Sequence, residues 1–250
     1  MTVNRFDLSG RRALVTGSSR GIGKAIAMCL GEAGAEVIFH ASQNSEILKK
    51  TLAEARERNI TCDSIAADLT TGDAVEELGL KAGKVDLLIL NASVQKYVPV
   101  DEFDAQEFER EFAANVGASF RLIKALLPGM IARGFGRIVA VGSINQWRPA
   151  ARLAVYAATK SAQTNLILNV AREYAKYGIT ANNVAPGVID TDRNHKVLDN
   201  PTAAQTLLAA IPAGRFGTPE DCAGLVLLLC SNAGSYITGS DIPVAGGMQL

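Results

Sequence analysis

Residues 12–34 read RALVTGSSRGIGKAIAMCLGEAG, and this stretch decides the fold. Arg12 to Gly17 is short and mostly apolar, which predicts a buried strand. Ile22 to Ala33 carries apolar residues at helical spacing, and Gly34 supplies a helix stop. A glycine-rich turn therefore joins a first strand to a first helix.

The alternation of short apolar runs with longer helical patterns continues to the end of the chain. Further strands are predicted over Glu36 to Ala41, Thr61 to Ala66, Val85 to Asn91, Gly136 to Ser143, Thr180 to Ala185 and Asp241 to Ala245. Helices are predicted over Ser45 to Arg58, Asp73 to Leu80, Phe103 to Arg133, Tyr156 to Lys176 and Pro219 to Ser231. This alternation is typical of repeated βαβ units. We expect an α/β fold: a single-domain Rossmann-type doubly wound parallel sheet of about seven strands, with helices on both faces, over residues 1–250.

The stretch from Val188 to Gly217 breaks this alternation. It is long, polar at first, and holds Pro201 and Pro212 around a small helical patch. Insertions of this kind over a rigid scaffold often close over a bound substrate. We predict a substrate lid near residues 188–217.

The composition excludes several classes of partner. Hydrophobic residues make up 48% and charged residues 20% of the chain, which predicts a packed core. The 25 Lys and Arg balance the 25 Asp and Glu, so no net field attracts nucleic acid or an anionic membrane. The longest apolar run, Ala223 to Cys230, is far shorter than the ~20 residues that a membrane helix needs. We expect no nucleic-acid or membrane partner.

Two further features indicate the compartment. Met1 to Gly10 lacks the apolar stretch of a secretory signal, which predicts a cytoplasmic protein. The cysteines lie singly, without CxxC spacing or neighbouring histidine clusters. They are predicted to be buried reduced thiols, and no metal site is expected.

The turn Thr16 to Gly23 reads TGSSRGIG and lies between the first strand and the first helix. Gly17 permits the turn, Gly21 lets a phosphate approach, and Gly23 allows close helix packing. Amides at a helix N-terminus hold a pyrophosphate well. A glycine-rich turn without a ligand is the alternative, but the position between strand and helix favours dinucleotide binding.

The end of the second strand indicates which dinucleotide is bound. Phe39 to Gln43 contains no acid, so no carboxylate is placed to bind the ribose of NAD or to repel the extra phosphate of NADP. Arg20 and the Ser42 hydroxyl are predicted to hold that phosphate. The alternative for Arg20 is a solvated surface cation. We expect NADP(H) to be preferred, with NAD(H) as a possible cofactor.

Asp68 follows the third strand at the edge where the cofactor is expected. Its carboxylate is placed to accept from the adenine amino group. The alternative is a helix cap for the residues after Thr70. The sequence leaves both open.

Tyr156 and Lys160 are four positions apart, so a helix places both on one face. A free tyrosine has a pKa near ~10, and a neighbouring ammonium group favours the phenolate. Ser143 ends a predicted strand on the edge that presents the glycine turn. Its hydroxyl is predicted to orient a substrate oxygen while Tyr156 gives or takes the proton.

With these motifs in order, the chain resembles the short-chain dehydrogenase/reductase family from the first strand to Gly246-Gly247. Thr16 to Gly23 matches the TGxxxGxG turn of the family, Ser143 its catalytic serine, and Tyr156 to Lys160 its YxxxK pair. The resemblance implies that Asn115 is a fourth catalytic residue, which bends a helix and binds a water linked to Lys160. From the residues alone, Asn115 is a polar helix residue. The resemblance also implies a homotetramer.

The resemblance implies further cofactor contacts. Asn91-Ala92-Ser93 resembles the segment beside the adenine ribose, although the family usually has glycine where Ser93 stands. Pro186 to Thr191 resembles the segment beside the nicotinamide. The complete set of predicted cofactor-binding residues is Gly17, Ser19, Arg20, Gly21, Ile22, Gly23, Ala41, Ser42, Asp68, Leu69, Asn91, Ala92, Ser93, Tyr156, Lys160, Pro186, Gly187, Ile189 and Thr191.

Substrate choice is assigned to the residues around the predicted proton donor. The substrate candidates are Ser143, Asn145, Trp147, Gln95 and Arg193, with Gln146 and Arg148 as further polar groups. His195 is interpreted as a solvated lid residue. These polar groups suggest a small carbonyl or alcohol substrate such as a sugar, polyol or hydroxy acid.

Two alternatives stay open. Reductases of 3-oxoacyl carrier-protein thioesters also resemble this chain. A cofactor-binding sensor that kept the fold without the reaction is the alternative of another class, which the intact catalytic residues disfavour.

Overall fold

The computed structural model describes residues 4–195 and 199–250. One sheet holds seven strands in the order β3-β2-β1-β4-β5-β6-β7. The strands are β1 (Arg12–Val15), β2 (Glu36–Ala41), β3 (Cys62–Ala66), β4 (Leu87–Leu90), β5 (Gly136–Val141), β6 (Ile179–Pro186) and β7 (Asp241–Val244). Each neighbouring pair is parallel. The predicted doubly wound parallel sheet is confirmed, and all seven predicted strands are present.

Helices connect the strands and follow the predicted positions closely. They are α1 (Gly21–Glu32), α2 (Glu46–Glu57), α3 (Gly72–Ala82), α4 (Ala105–Phe112), α5 (Ala118–Arg133), α6 (Ala154–Tyr174), α7 (Pro201–Ala209) and α8 (Pro219–Cys230). The sequence predicted one helix from Phe103 to Arg133. Instead, a π-helical segment, Ala113–Gly117, separates α4 from α5.

Side chains alternate across the sheet, as parallel strands with two covered faces require. Val15 and Ile89 pack with α1, α2 and α8 in one core. Leu14 and Leu90 pack with α3, α5 and α6 in a second core on the opposite face. Successive side chains of these nearly continuous apolar strands point to opposite faces of the sheet, and this alternation determines which helices pack on which face.

The strand order places the site. Connections from β1 run outward to β2 and β3, whereas the chain crosses back to β4 and continues to β7. The order therefore reverses between β1 and β4, which is where ligands bind in open α/β sheets. The glycine turn after β1 and Asn91 after β4 lie beside this switch point.

The structure also bears on the predictions made for the cysteines and for membrane helices. Cys222 and Cys230 are buried free thiols as predicted, whereas Cys29 and Cys62 are only half-buried. Within residues 4–195 and 199–250, no helix has both the length and the apolar character needed to cross a membrane.

Candidate active site

The glycine turn adopts a backbone that side chains would obstruct. Gly17 has φ +63° and Gly21 has φ +57°, in the left-handed region that glycine enters at little cost. A β-carbon at Gly17 would lie 2.9 Å from the Ala92 Cα. A β-carbon at Gly23 would overlap the Gly17 carbonyl oxygen and the Asn91 Nδ2. The turn is therefore packed directly on the residues that follow β4.

Asn91 and Thr16 fix the turn from the β4 side. The Asn91 amide donates from Nδ2 to the carbonyls of Thr16 (2.9 Å) and Gly17 (3.0 Å). The Thr16 hydroxyl accepts from the backbone N–H groups of Asn91 and Ala92. Asn91 and Ala92 thus support the turn through contacts that sequence reasoning did not assign.

His40 fixes the turn from the other side, and sequence reasoning gave it no role. Its Nδ1 accepts from the Gly17 N–H at 3.1 Å, and its Nε2 lies 3.0 Å from the Ala67 carbonyl. Together these contacts require the neutral tautomer with the proton on Nε2. Burial lowers the pKa of His40 to about 4. The imidazole is therefore a neutral bridge between the glycine turn and the end of β3.

We expect the His40 bridge to make stability fall with acid. The folded pKa of about 4 lies below the usual 6.5. The stabilisation is complete above pH 6.5 and is lost as the pH falls toward 4, because the unfolded chain binds the proton more readily. Linkage predicts a loss of about 2 kcal/mol between pH 7 and pH 4.5. Urea unfolding of wild type and of His40→Asn, which has no titrating group there, measures it. Equal pH slopes in both proteins would contradict the assignment.

The residues present fit a dinucleotide phosphate. Arg20 is the N-cap of α1, its side chain makes no capping hydrogen bond, and the first turn contains no acid. The first amides of α1 thus lack the side-chain acceptor that usually satisfies them. An anion seated on the turn supplies that acceptor and meets the positive end of the helix.

The segment after β6 reaches the same turn. The methyl group of Thr191 is 3.5 Å from the position of a β-carbon at Gly21. Ile189 pairs with Gly217 in a parallel bridge, and the Gly187 N–H donates to the Val244 carbonyl. The segments predicted to hold the pyrophosphate and the nicotinamide therefore lie on one edge of the sheet.

Arg20 and Asp68 have local partners in the structure. Arg20 Nη1 lies 3.1 Å from Asp192 Oδ2, and both side chains are mostly exposed. Asp68 Oδ1 accepts from the N–H and the hydroxyl of Thr70, both at 2.9 Å. Asp68 thus stabilises a turn that precedes α3, and it is not the helix cap of the alternative interpretation, because the N-cap of α3 is Thr71. An exposed ion pair contributes only about 0–1 kcal/mol, so Arg20 can exchange Asp192 for a phosphate at small cost.

Tyr156 and Ser143 come together at the end of β5. Tyr156 is 7% exposed and Ser143 is 8% exposed. Burial raises the pKa of Tyr156, while the charge of Arg193 and the hydroxyls of Ser143 and Ser93 lower it, with burial the largest effect. The phenol therefore holds its proton at neutral pH and can donate it.

Lys160 lies deeper than predicted. Its ammonium donates to the Val141 carbonyl at 2.7 Å and to Gln163 Oε1 at 3.0 Å. Burial, followed by the charge of Arg193, lowers the pKa of Lys160 to about 7. The charge of Arg193 lowers the pKa of Tyr156, and Lys160 Nζ lies 5.8 Å from the centre of the Tyr156 ring. Gln163 continues the polar chain by donating to the Ser119 hydroxyl at 2.8 Å.

Asn115 lies at the centre of the π-helical segment and is fully buried. Its side chain accepts from the Val94 N–H (2.8 Å) and donates to the Val94 carbonyl (2.9 Å) and the Thr159 hydroxyl (2.9 Å). Asn115 therefore fixes the loop after β4 to the helix that carries Tyr156. The π-helical segment interrupts the regular helical hydrogen bonding at Asn115, and π-bulges of this kind often occur at functional sites.

The substrate candidates fall into two groups. Asn145 and Gln95 are half-buried, and Trp147 and Arg193 are exposed. Gln146 instead donates to Asp241 at 2.6 Å, and Arg148 donates to the Met248 carbonyl at 2.9 Å. These two side chains therefore connect the loop after β5 to the start of β7 and to the segment that follows it. His195 is exposed, 3.5 Å from Asp190.

The glycine turn and Tyr156 share one sheet edge, and this arrangement is typical of an NAD(P)-dependent oxidoreductase. A family model described as enoyl-(acyl carrier protein) reductase matches residues 17–249. The chain belongs to the short-chain dehydrogenase/reductase family.

Individual relatives cover almost the whole chain. Gluconate 5-dehydrogenase of Gluconobacter oxydans (strain 621H) is 34% identical over 98% of this chain and 97% of its own. A solved 3-oxoacyl (acyl-carrier-protein) reductase from Agrobacterium tumefaciens C58, with NADP bound, is 39% identical with TM-score 0.93, covering 97% and 96% of the two chains. A gluconate 5-dehydrogenase from Burkholderia cenocepacia J2315, solved with NADP and tartrate, is 33% identical with TM-score 0.91, covering 98% and 97%.

Proposed function

We propose that the protein interconverts the ketone and the secondary alcohol of a sugar, polyol or hydroxy acid with NADP(H) as cofactor. The observation that carries the proposal is the meeting of the Tyr156 and Ser143 hydroxyls at the end of β5, on the edge that holds the glycine turn. Gluconate 5-dehydrogenases among the relatives support the substrate class.

The residues divide the work of the reaction. NADPH supplies the hydride when it is bound. Ser143 positions and polarises the substrate oxygen, and Tyr156 donates its proton to that oxygen as negative charge develops there. Lys160, whose Nζ lies 5.8 Å from the centre of the Tyr156 ring, carries a positive charge that stabilises the phenolate left after proton donation. In the oxidative direction the same groups remove the proton.

We propose NADP(H) rather than NAD(H) because no acidic residue stands at the end of β2. Ala41 is buried and Ser42 is exposed there, and neither carries the acid that binds an unphosphorylated ribose. Arg20 stands across the turn as the cation for the extra phosphate. The two solved relatives with NADP bound are consistent with this choice.

A second candidate is reduction of a 3-oxoacyl carrier-protein thioester. The favouring observation is the 39% identity to the Agrobacterium tumefaciens enzyme of that name. Such a substrate places a long acyl thioester in the cleft, where the half-buried Gln95 and Asn145 offer polar rather than apolar contacts.

One survey of initial rates tests both proposals. Keto sugars, keto sugar acids and 3-oxoacyl thioesters are each offered with NADPH and with NADH. We expect turnover of an oxygen-rich ketone, with kcat/KM at least about tenfold higher for NADPH, since charge-assisted contacts to a phosphate contribute more than 1.4 kcal/mol. Turnover confined to thioesters would establish the second candidate. Tight NADPH binding without oxidation of any ketone would instead indicate a sensor.

We also propose a cytoplasmic homotetramer with α4, α5 and α6 at one interface. Phe108 and Phe120, on α4 and α5, are 46% and 52% exposed, and such apolar side chains are typical of subunit contacts. Light scattering on the purified protein reports the assembly directly.

A further inference from the structure

Arg193 connects the beginning of the predicted lid to the opposite wall of the cleft. Its Nη1 donates to the Ser93 hydroxyl at 2.9 Å, and its Nη2 donates to the Ser93 carbonyl at 2.8 Å. Both terminal nitrogens of the guanidinium fork thus donate hydrogen bonds to neutral oxygens of one residue, Ser93. A planar fork of this kind matches the two oxygens of a carboxylate better than it matches a hydroxyl and a carbonyl.

The same guanidinium lies beside the reacting groups. Ser93, which it contacts, also faces the Tyr156 hydroxyl. The positive charge of Arg193 lowers the pKa of Tyr156 and of Lys160. A substrate whose ketone oxygen lies on Tyr156 therefore has its adjacent carbons within reach of Arg193.

The charge of Arg193 is not neutralised by neighbouring acids. The lid acids are engaged elsewhere, Asp192 with Arg20 at 3.1 Å and Asp190 with His195 at 3.5 Å. Within the described ranges, no carboxylate forms an ion pair with Arg193. The charge of Arg193 acts on the buried acid Glu111, which accepts from the Lys96 N–H and whose Oε2 has no hydrogen-bond partner among the described residues.

Glu111 compensates Arg193 only weakly. Burial raises the pKa of Glu111, with the Lys96 N–H and the charges of Arg110 and Arg193 acting in the opposite direction. Glu111 forms no ion pair with Arg193 among the described residues, so the guanidinium keeps its positive charge beside the reacting groups.

We propose that Arg193 is the receptor for a carboxylate on the substrate, and that Ser93 occupies its fork until the substrate binds. The proposal rests on the proposed function and narrows its substrate class to keto acids and hydroxy acids, excluding neutral sugars and polyols as preferred substrates. A carboxylate displaces the two neutral Ser93 acceptors because charge-assisted hydrogen bonds are about twice as strong as neutral ones.

The test compares a keto sugar acid with a neutral ketose of the same chain length, each with saturating NADPH. For Arg193→Gln we expect kcat/KM on the acid to fall about 10- to 100-fold, from the 1.5–3 kcal/mol that hydrogen bonds to charged groups contribute. The neutral ketose should lose at least about tenfold less than the acid, because the effect of the Arg193 charge on the pKa of Tyr156 is common to both substrates. Arg193→Lys should recover part of the loss on the acid, since it keeps the charge but not the fork.

The matched control is Arg152→Gln, which removes an exposed arginine stacked over Tyr97 in the same region. It should leave the ratio of acid to neutral rates unchanged. An equal loss on both substrates in Arg193→Gln, or a weakened NADPH affinity that explains the whole effect, would overturn the proposal.

A binding measurement separates this proposal from the proposed function. Calorimetric titration of tartrate, a hydroxy dicarboxylate, into the NADP⁺-loaded protein requires no turnover. Weaker tartrate binding in Arg193→Gln than in wild type and Arg152→Gln supports the carboxylate site even if no ketone is reduced. Equal tartrate binding in all three proteins contradicts the carboxylate site even if ketones are reduced.

Discussion

Replacing Tyr156 with phenylalanine is expected to reduce turnover by about 10²- to 10⁴-fold, the range that general acid–base catalysis contributes. The change removes one hydroxyl from a side chain that is 7% exposed and leaves its ring packing in place. The substrate oxygen then loses its proton donor, while the glycine turn and the amides of α1 are untouched. NADPH affinity, measured by fluorescence titration, should stay within about twofold of wild type.

Tyr177→Phe is the matched control, because it removes the same hydroxyl from a tyrosine that is 40% exposed beyond the end of α6. Its turnover should equal that of wild type. Turnover of Tyr156→Phe within threefold of the control would remove Tyr156 from the mechanism.

The second large effect is expected for Gly23→Ala. The added β-carbon overlaps the Gly17 carbonyl and the Asn91 amide, so the turn and the start of α1 must move apart. Overpacking of this kind typically costs about 1–3 kcal/mol of stability. The displaced amides lose at least two charge-assisted hydrogen bonds to phosphate, so NADPH affinity should fall by about 10²-fold or more.

Gly224→Ala, in the middle of α8, is the control for a glycine change in a helix. Its β-carbon meets no atom within 4 Å, and alanine favours a helix over glycine by about 1 kcal/mol. This variant should bind NADPH normally and melt at an equal or higher temperature. Normal NADPH binding by a folded Gly23→Ala protein would contradict the proposed position of the phosphates.

The sheet could be predicted from the sequence because the features that specify it lie within short stretches of the chain. Each strand is a short apolar run, and the glycine turn lies between a strand and a helix in the sequence itself. Parallel strands then place their carboxyl ends on one edge without further information. The positions of Ser143 and the glycine turn follow from this rule alone.

The side-chain partners were not predictable in the same way. Gln146 and Arg148 look like cleft residues in the sequence, but their partners Asp241 and Met248 lie 95 and 100 positions away. His40 looks like an ordinary strand residue until the fold brings Gly17 and Ala67 to its two nitrogens. A signal was available only for His40, as an ionisable residue within an otherwise apolar strand.

The electrostatics of the site also differed from the expectation. Spacing alone predicts that Lys160 shares a helix face with Tyr156, which is correct, but depth and hydrogen bonding decide what the ammonium does. Lys160 is 1% exposed and bonded to Val141 and Gln163, and Arg193, 37 positions after Tyr156, is a second cation whose charge lowers the pKa of the phenol. Long-range placement of charge is set by packing, which periodicity does not encode.

The central claim is that the Tyr156 and Ser143 hydroxyls act on one substrate oxygen. A double-mutant cycle tests it most directly, with the single-turnover rate of NADPH oxidation measured for wild type, Ser143→Ala, Tyr156→Phe and the double variant at saturating ketone. Groups that share an oxygen are coupled, so the double variant should lose at least about 1 kcal/mol less than the sum of the single losses. Losses that add within about 0.5 kcal/mol would show that the two hydroxyls act independently and would contradict the account.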